Sequence, residues 1–271
     1  MRTVKNIIDF YIQSSLHVAL AVYALIRITF LKLNITYDES VACFGFFGTI
    51  VGYNFIKYDE LARVRKIKLT HTFKAIIGLS IISALATFYY FLELKTNTKL
   101  IGFATLFITI LYTLPFFPHK QNMRNWSGVK IYLVGIAWVG VTVLLPVINA
   151  DVDFSLLIIL KCIQRFILVF VLMLIFEIID LQFDVKSLKT IPQKIGEKRT
   201  KYLNYSLVSL FLILDIFKPN ITVQQFLITF LVGVILLFFT FFASSKRNKY
   251  YSSFWVESVP VFWLLLLLFL G

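Results

Sequence analysis

Three acidic residues, Glu177, Asp180 and Asp184, follow a long apolar run at the spacing i, i+3 and i+7. On an α-helix, at ~100° per residue, this spacing places the three carboxylates within ~60° of one another. Two carboxylates ~6 Å apart repel by roughly 3 kcal/mol at an effective dielectric constant of ~20, so this stripe needs a compensating cation. Hard divalent cations such as Mg²⁺ bind carboxylate oxygens and keep positions open for phosphate. The pattern favours a metal and phosphate site, and a solvated helix end is the alternative.

The residues after the acids extend this motif. The tail contains Lys189, Thr190, Ile191, Pro192 and Gly196. Acids and tail together resemble the second aspartate-rich motif of the UbiA superfamily of intramembrane prenyltransferases. The resemblance implies that Glu177, Asp180 and Asp184 bind Mg²⁺ and, through it, the diphosphate of an isoprenoid donor.

Composition independently indicates a polytopic membrane protein. The chain has 271 residues, of which 59% are hydrophobic and 17% aromatic, and its mean hydropathy is +0.84. These values exclude an ordinary soluble domain. The net charge of +13 is typical of basic cytoplasmic loops beside anionic lipid, and we expect no nucleic-acid partner. Cys43 and Cys162 lie in separate apolar runs, so neither a disulfide framework nor a cysteine metal site is predicted.

Nine apolar stretches are long enough to cross a bilayer, for which about 20 residues are needed. They lie at about 15–33, 40–57, 72–92, 99–116, 129–148, 155–182, 202–217, 222–243 and 253–270. The connecting loops alternate in charge, with 20 Lys and Arg residues in one set and 4 in the other. The positive-inside rule therefore places the N-terminus and the acidic stretch in the cytoplasm and the C-terminus outside.

The end of the second apolar stretch differs from the family pattern. Asn54 matches the asparagine that opens the first aspartate-rich motif of the resembled family, but Phe55 and Tyr58 stand where that motif has acids. On a continuous helix Asp59 points ~140° away from Asn54, and Lys57 shares the face of Asn54. Two outcomes stay open. Either the helix unwinds near Lys57 so that Asp59 reaches a metal, which we favour, or this half of the site is lost.

Several cationic and aromatic residues are candidates for substrate binding. Lysines and arginines on the cytoplasmic side can neutralise a diphosphate and stabilise it as a leaving group. These candidates are Lys57, Arg63, Lys66, Lys130, Lys186 and Lys189. Tyr112 lies in an element that resembles the family's Tyr-Thr-x-Pro sequence, and Gly128–Val129–Lys130 resembles the Gly-x-Lys that opens the following helix. A membrane-interface tyrosine and lipid-contacting lysines are the alternatives.

Polar groups inside the predicted spans need partners, because unpaired charge is costly in a bilayer. His17 is expected to be a hydrogen-bonded packing residue. Arg165 lies about three helical turns from Glu177, too far for direct contact, and Glu257 is a candidate partner for it across the bundle.

We therefore expect one all-α domain over residues 1–271, with nine transmembrane helices around a central cavity, in a bacterial-type inner membrane. The resemblance implies Mg²⁺-dependent transfer of an isoprenyl group to an aromatic or other lipophilic acceptor. In it Asp180, Asp184, Asn54 and Tyr112 are catalytic, and Glu177, Asp180, Asp184, Asn54 and Asp59 bind metal. A non-catalytic lipid-binding or scaffold protein on the same fold is the alternative. A CDP-alcohol phosphotransferase is disfavoured because Asp59–Arg63 lacks the glycine and spacing of that family's motif. Acceptor, prenyl chain length and oligomeric state are not indicated by the sequence.

Overall fold

The computed structural model describes residues 2–64, 70–115, 123, 126, 128–184, 188–218 and 222–271, with the side chains of residues 2, 3 and 60–64 left out. Every regular element in these ranges is helical. The helices are α1 (Arg2–Gln13), α2 (Leu16–Leu33), α3 (Glu39–Val64), α4 (His71–Glu93), α5 (Thr96–Thr113), α6 (Val129–Val139), α7 (Leu145–Asn149), α8 (Leu156–Asp180), α9 (Ile191–Ile195), α10 (Glu197–Ile216), α11 (Val223–Phe242) and α12 (Val259–Leu270). Two π-helical segments, Gly140–Leu144 and Tyr251–Val256, join α6 to α7 and lead into α12.

The polytopic all-α class predicted from composition is confirmed. Within the described residues, seven helical stretches are long and apolar enough to cross a membrane. The other two predicted spans coincide with α5 and α10, which are helices of 18 and 20 residues. α10 is less apolar because its first turns carry Glu197, Lys198, Arg199 and Lys201. The exact count of nine spans and the central cavity stay predictions.

α8 is the helix around which the bundle packs. In its most apolar stretch 72% of the residues are buried, the largest share among the seven candidate spans, whereas α4 has only 11%. α8 packs against α6, α10 and α11. A Cβ added to Gly135 of α6 would lie 2.7 Å from the Phe166 ring of α8, so a residue without a side chain is needed at this crossing. The acids at the end of α8 are thus carried by the most enclosed helix.

Hydrogen bonds tie described loop residues together at both ends of the bundle. At the end away from the acids, Asn149 donates to Asp38 (2.7 Å) and accepts from the Lys95 backbone (3.1 Å), which links three loops. At the acidic end, Tyr250 donates to Asp9, and Ser245 N–H donates to Glu197 (3.4 Å).

A helix at the N-terminus was not expected from the sequence. α1 precedes the first span and turns into α2 at Ser15, which has a φ of 64°. Tyr58 donates to the Gln13 carbonyl (3.0 Å), so α1 is tied to the end of α3.

Candidate functional site

The acidic cluster, formed by Glu177, Asp180 and Asp184, lies where α8 ends. Asp180 is the last helical residue, and its carbonyl accepts from the backbone N–H groups of Phe183 and Asp184, both at 2.8 Å. This turn brings Asp184 back beside the helix. Asp180 and Asp184 are close enough to Glu177 for their negative charges to repel its carboxylate. Asp184 repels the carboxylate of Asp180 in the same way. The three carboxylates therefore lie near one helix end and repel one another, but they do not converge on a single point as they stand.

Two lysines partly balance this negative charge. Lys130, at the start of α6, attracts the carboxylates of both Glu177 and Asp180. Lys249 acts on Asp180, and its Nζ lies 4.1 Å from the centre of the Phe183 ring. Gly128 precedes α6 with a φ of 77°, a conformation that favours glycine and sets the direction of the helix carrying Lys130.

The tail of the motif has a structural role in holding the cluster. The Ile191 N–H at the start of α9 donates to Glu177 Oε2 (3.2 Å), and Glu177 is only 4% exposed. Gln193 Oε1 accepts from the Thr190 N–H (3.1 Å), and its Nε2 donates to the Asp184 carbonyl (3.4 Å). The short helix α9 therefore satisfies Glu177 from one side and ties the Asp184 turn in place.

The first motif differs from the favoured expectation. α3 continues as a helix to Val64, so the predicted unwinding near Lys57 is wrong. A chain that is still hydrogen-bonded as a helix keeps Asp59 and Asn54 on different faces. Asn54 is buried, its oxygen accepts from Ser15 Oγ (2.8 Å), and its amide donates to Ser80 Oγ (2.9 Å).

A lysine ammonium occupies the neighbourhood of Asn54. Lys57 Nζ donates to the Ile12 carbonyl and to Ser15 Oγ, both at 3.0 Å. The Lys57 ammonium is also attracted to the carboxylate of Glu257. A metal ion at Asn54 would therefore be repelled by Lys57, and the residues of α3 do not fit a divalent cation.

The proposed pairing of Arg165 with Glu257 is wrong. Arg165 Nη2 donates to Thr29 Oγ1 of α2 (3.3 Å). Glu257 instead interacts electrostatically with Lys57. His17 is a packing residue as expected, because its Nε2 lies 2.9 Å from the Phe254 carbonyl and its ring stacks on Phe254.

Aromatic side chains line the interior next to the first motif. Tyr112 is 5% exposed, which does not fit a lipid-facing interfacial tyrosine. Trp138 Nε1 donates to Tyr53 Oη (2.8 Å). These three rings connect α3, α5 and α6.

Some predicted residues cannot be placed. Lys66, Lys186 and the side chain of Arg63 lie outside the described residues. Lys189 is exposed, with a φ of 46°. In the described part of the chain, no three His, Cys, Asp or Glu side chains come close enough together to hold a metal ion as they stand.

Two residues of the site were missed by the sequence analysis. No motif in the sequence singles out Lys249, and its position beside Asp180 depends on how α11 and the π-helical segment at Tyr251 pack. Glu257 was noted as a buried acid but assigned to the wrong cation. A pattern within one helix contains no information on either contact.

Comparison with solved structures identifies the fold. No protein-family profile matches the sequence, and no curated protein matches it significantly. A structure of digeranylgeranylglyceryl phosphate synthase superposes with a TM-score of 0.58 at 15% identity, covering 98% of both chains. A Cd²⁺-bound UbiA homologue from Archaeoglobus fulgidus gives 0.61 at 14% identity, and an apo UbiA homologue from Aeropyrum pernix K1 gives 0.59 at 16%. Both cover 94% of this chain and 97% of the other. The helical bundle therefore has the fold of these UbiA homologues over almost the whole chain.

Proposed function

We propose that this protein transfers an isoprenyl group from an isoprenyl diphosphate to a lipophilic acceptor within the membrane. The observation that carries the proposal is the acidic cluster beside Lys130 and Lys249 at the end of α8. The fold shared with a digeranylgeranylglyceryl phosphate synthase supports the same class of reaction.

The acidic cluster fits a hard divalent cation by its donor chemistry, whereas the α3 residues do not. Asp180 and Asp184 would hold Mg²⁺, with Glu177 already accepting from the backbone of α9. Because the carboxylates do not converge on one point as they stand, we expect metal and diphosphate to bind together. A bound Mg²⁺ neutralises charge on the departing diphosphate.

The protein's own residues would bind and shield the substrate. Lys130 and Lys249 are placed to bind diphosphate oxygens next to Asp180. Arg63, Lys66, Lys186 and Lys189 remain candidates for the same task. The rings of Tyr53, Tyr112 and Trp138 would exclude water from an allylic cation and stabilise it by cation–π attraction.

The test is product analysis of purified protein with a panel of isoprenyl diphosphates. Each is offered with an aromatic quinone precursor, a porphyrin or a lipid alcohol, in Mg²⁺ or in excess chelator. We expect prenylated product and free diphosphate for at least one pair, only when Mg²⁺ is present. Asp153→Asn, an exposed acid at the other end of the bundle, is the matched control and should retain full activity.

A non-catalytic isoprenoid-binding protein is the second candidate, and the first motif favours it. Asn54 is hydrogen-bonded through both its oxygen and its amide nitrogen, and Lys57, where the family motif has acids nearby, donates to the same Ser15 hydroxyl. Donor binding without turnover across the whole panel would contradict the enzyme proposal and support this one.

A further inference from the structure

Four cationic side chains gather in the half of the bundle away from the acidic cluster. They are Lys32 at the end of α2, Lys161 and Arg165 in the first turns of α8, and Lys218 after α10. Lys161, Arg165 and Lys218 are each 9% exposed or less. Arg165 precedes Asp180 by 15 residues of continuous helix, which is ~22 Å. This buried cationic cluster is therefore separate from the proposed active site.

The cluster has too little negative charge of its own. Asp215 accepts from Lys218 and from Gln164 Nε2 (3.1 Å), and its charge also acts on Lys32 and Lys161. In the described ranges, no ion pair reaches Lys32, Lys161 or Arg165. Four cations facing one carboxylate leave a formal excess of three positive charges in an environment where unpaired charge is costly.

A cavity lies among these cations, and four of its lining residues carry N–H donors with which no described carboxylate forms an ion pair: Lys32, Lys161, Arg165 and Trp263. Ile28, Thr29 and Gln164 complete the lining. Arg165 Nη1 and Trp263 Nε1 are both buried and have no hydrogen-bond partner among the described residues. Lys32 Nζ lies 5.0 Å from the centre of the Trp263 ring and donates to Thr229 Oγ1 (2.8 Å).

The Arg165 guanidinium is held in place by a hydrogen bond from its other nitrogen. Arg165 Nη2 donates to Thr29 Oγ1, and Thr29 Oγ1 in turn lies 2.6 Å from the Thr142 carbonyl. The guanidinium is thereby anchored at Nη2, while Nη1 is buried without a partner in a residue that lines the cavity. Because a guanidinium stays protonated in proteins, loss of protons from the lysines cannot remove this charge.

We propose that this cavity binds a small monatomic anion, a halide, through Arg165 Nη1, Trp263 Nε1 and Lys161 Nζ. An anion supplies both the missing negative charge and the missing acceptor for the two unpartnered N–H groups. The cavity volume of about 10 Å³ is that of a single water-sized occupant, so a tetrahedral phosphate is too large for it.

The experiment measures thermal unfolding and ³⁵Cl NMR line width for the full chain in an uncharged detergent. Chloride or bromide replaces gluconate at constant ionic strength. We expect Tm to rise saturably by several degrees with either halide, because a ligand bound only by the folded state stabilises it. The chloride signal should broaden with protein and sharpen again when bromide competes.

Variants assign the effect to this cavity. Arg165→Gln, Lys161→Met and Trp263→Phe should each reduce or abolish the halide-dependent rise in Tm and the line broadening, whether the variant is itself more or less stable than the parent. Lys95→Gln, an exposed cation at the same end of the bundle, should keep both responses. Three variants are used so that the failure of one to fold does not remove the test.

The outcomes that overturn the proposal are distinct. Equal Tm and line width in chloride and gluconate would show that the cavity holds no halide. A full response in all three variants would place the halide elsewhere. Stabilisation by phosphatidylglycerol in gluconate, without a halide response, would assign the cluster to lipid phosphate.

Discussion

At the scale of single residues, the two halves of the candidate site differ in the charged groups that a metal ion would meet. The end of α8 carries three acids with Lys130 and Lys249 nearby. The end of α3 carries Lys57, which is bonded to Ser15 and the Ile12 carbonyl. Since carboxylates attract a divalent cation and an ammonium repels it, metal binding is expected at α8 and not at α3.

Replacement of the acids on α8 tests this assignment. Asp180→Asn and Asp184→Asn should each weaken binding of an isoprenyl thiolodiphosphate in Mg²⁺ by about tenfold or more, or ~1.4 kcal/mol. Stability should be unchanged or increased, because carboxylate repulsion is relieved. Isothermal titration measures affinity, and a thermal melt checks the fold. Unchanged affinity in both variants, with Asp153→Asn as the reference, would refute the metal site.

At the scale of elements, the position of the acids depends on how closely α6 and α8 approach. Gly135 provides that approach, because the space that a Cβ would fill there is taken by the Phe166 ring. Tyr132 stacks on the same ring with the centroids 6.4 Å apart. Lys130 lies on α6 only five residues before Gly135, so this crossing also sets the distance between Lys130 and the acidic cluster.

Gly135→Ala should therefore be destabilising. The added Cβ would lie 2.7–2.8 Å from two atoms of Phe166, and overpacking of this kind costs about 1–3 kcal/mol. Gly78→Ala is the matched control, because Gly78 lies in α4 with nothing within 4 Å of an added Cβ. That substitution should raise stability by up to ~1 kcal/mol through helix propensity. Thermal unfolding in detergent compares the two, and equal melting temperatures would contradict the close-packing argument.

At the scale of the whole molecule, the bundle has two chemically different ends. One end holds the acidic cluster with Lys130 and Lys249 beside it, and the other holds the buried cationic cluster. The positive-inside rule predicts that the acidic end faces the cytoplasm.

Cysteine accessibility tests this orientation. In a variant with Cys43→Ala and Cys162→Ala, Asp153→Cys should react with an impermeant thiol reagent added to intact spheroplasts, and Lys198→Cys should react only after permeabilisation. Both positions are exposed, so burial does not confuse the comparison. Labelling of Lys198→Cys in intact spheroplasts would refute the predicted topology.

The sequence by itself determined the membrane class, the helical architecture and the acidic cluster. Each depends on local or additive properties: mean hydropathy, the length of apolar runs and the i, i+3, i+7 spacing of Glu177, Asp180 and Asp184. The same is true of the start of α6 after Gly128, which the Gly-x-Lys element predicted and the structure confirms.

Only the tertiary structure decided which buried charges meet. Lys57, the partner of Glu257, lies 200 residues away along the chain. Local spacing therefore could not select Lys57 over Arg165 as the partner. Continuation of α3 past Lys57 was equally undetermined, because it depends on α1 offering the Gln13 and Ile12 carbonyls to Tyr58 and Lys57. The cavity at Arg165 arises where α2, α8 and α12 pack together. Contacts between distant segments are set by the packing of whole helices, and the residues of one segment do not specify them.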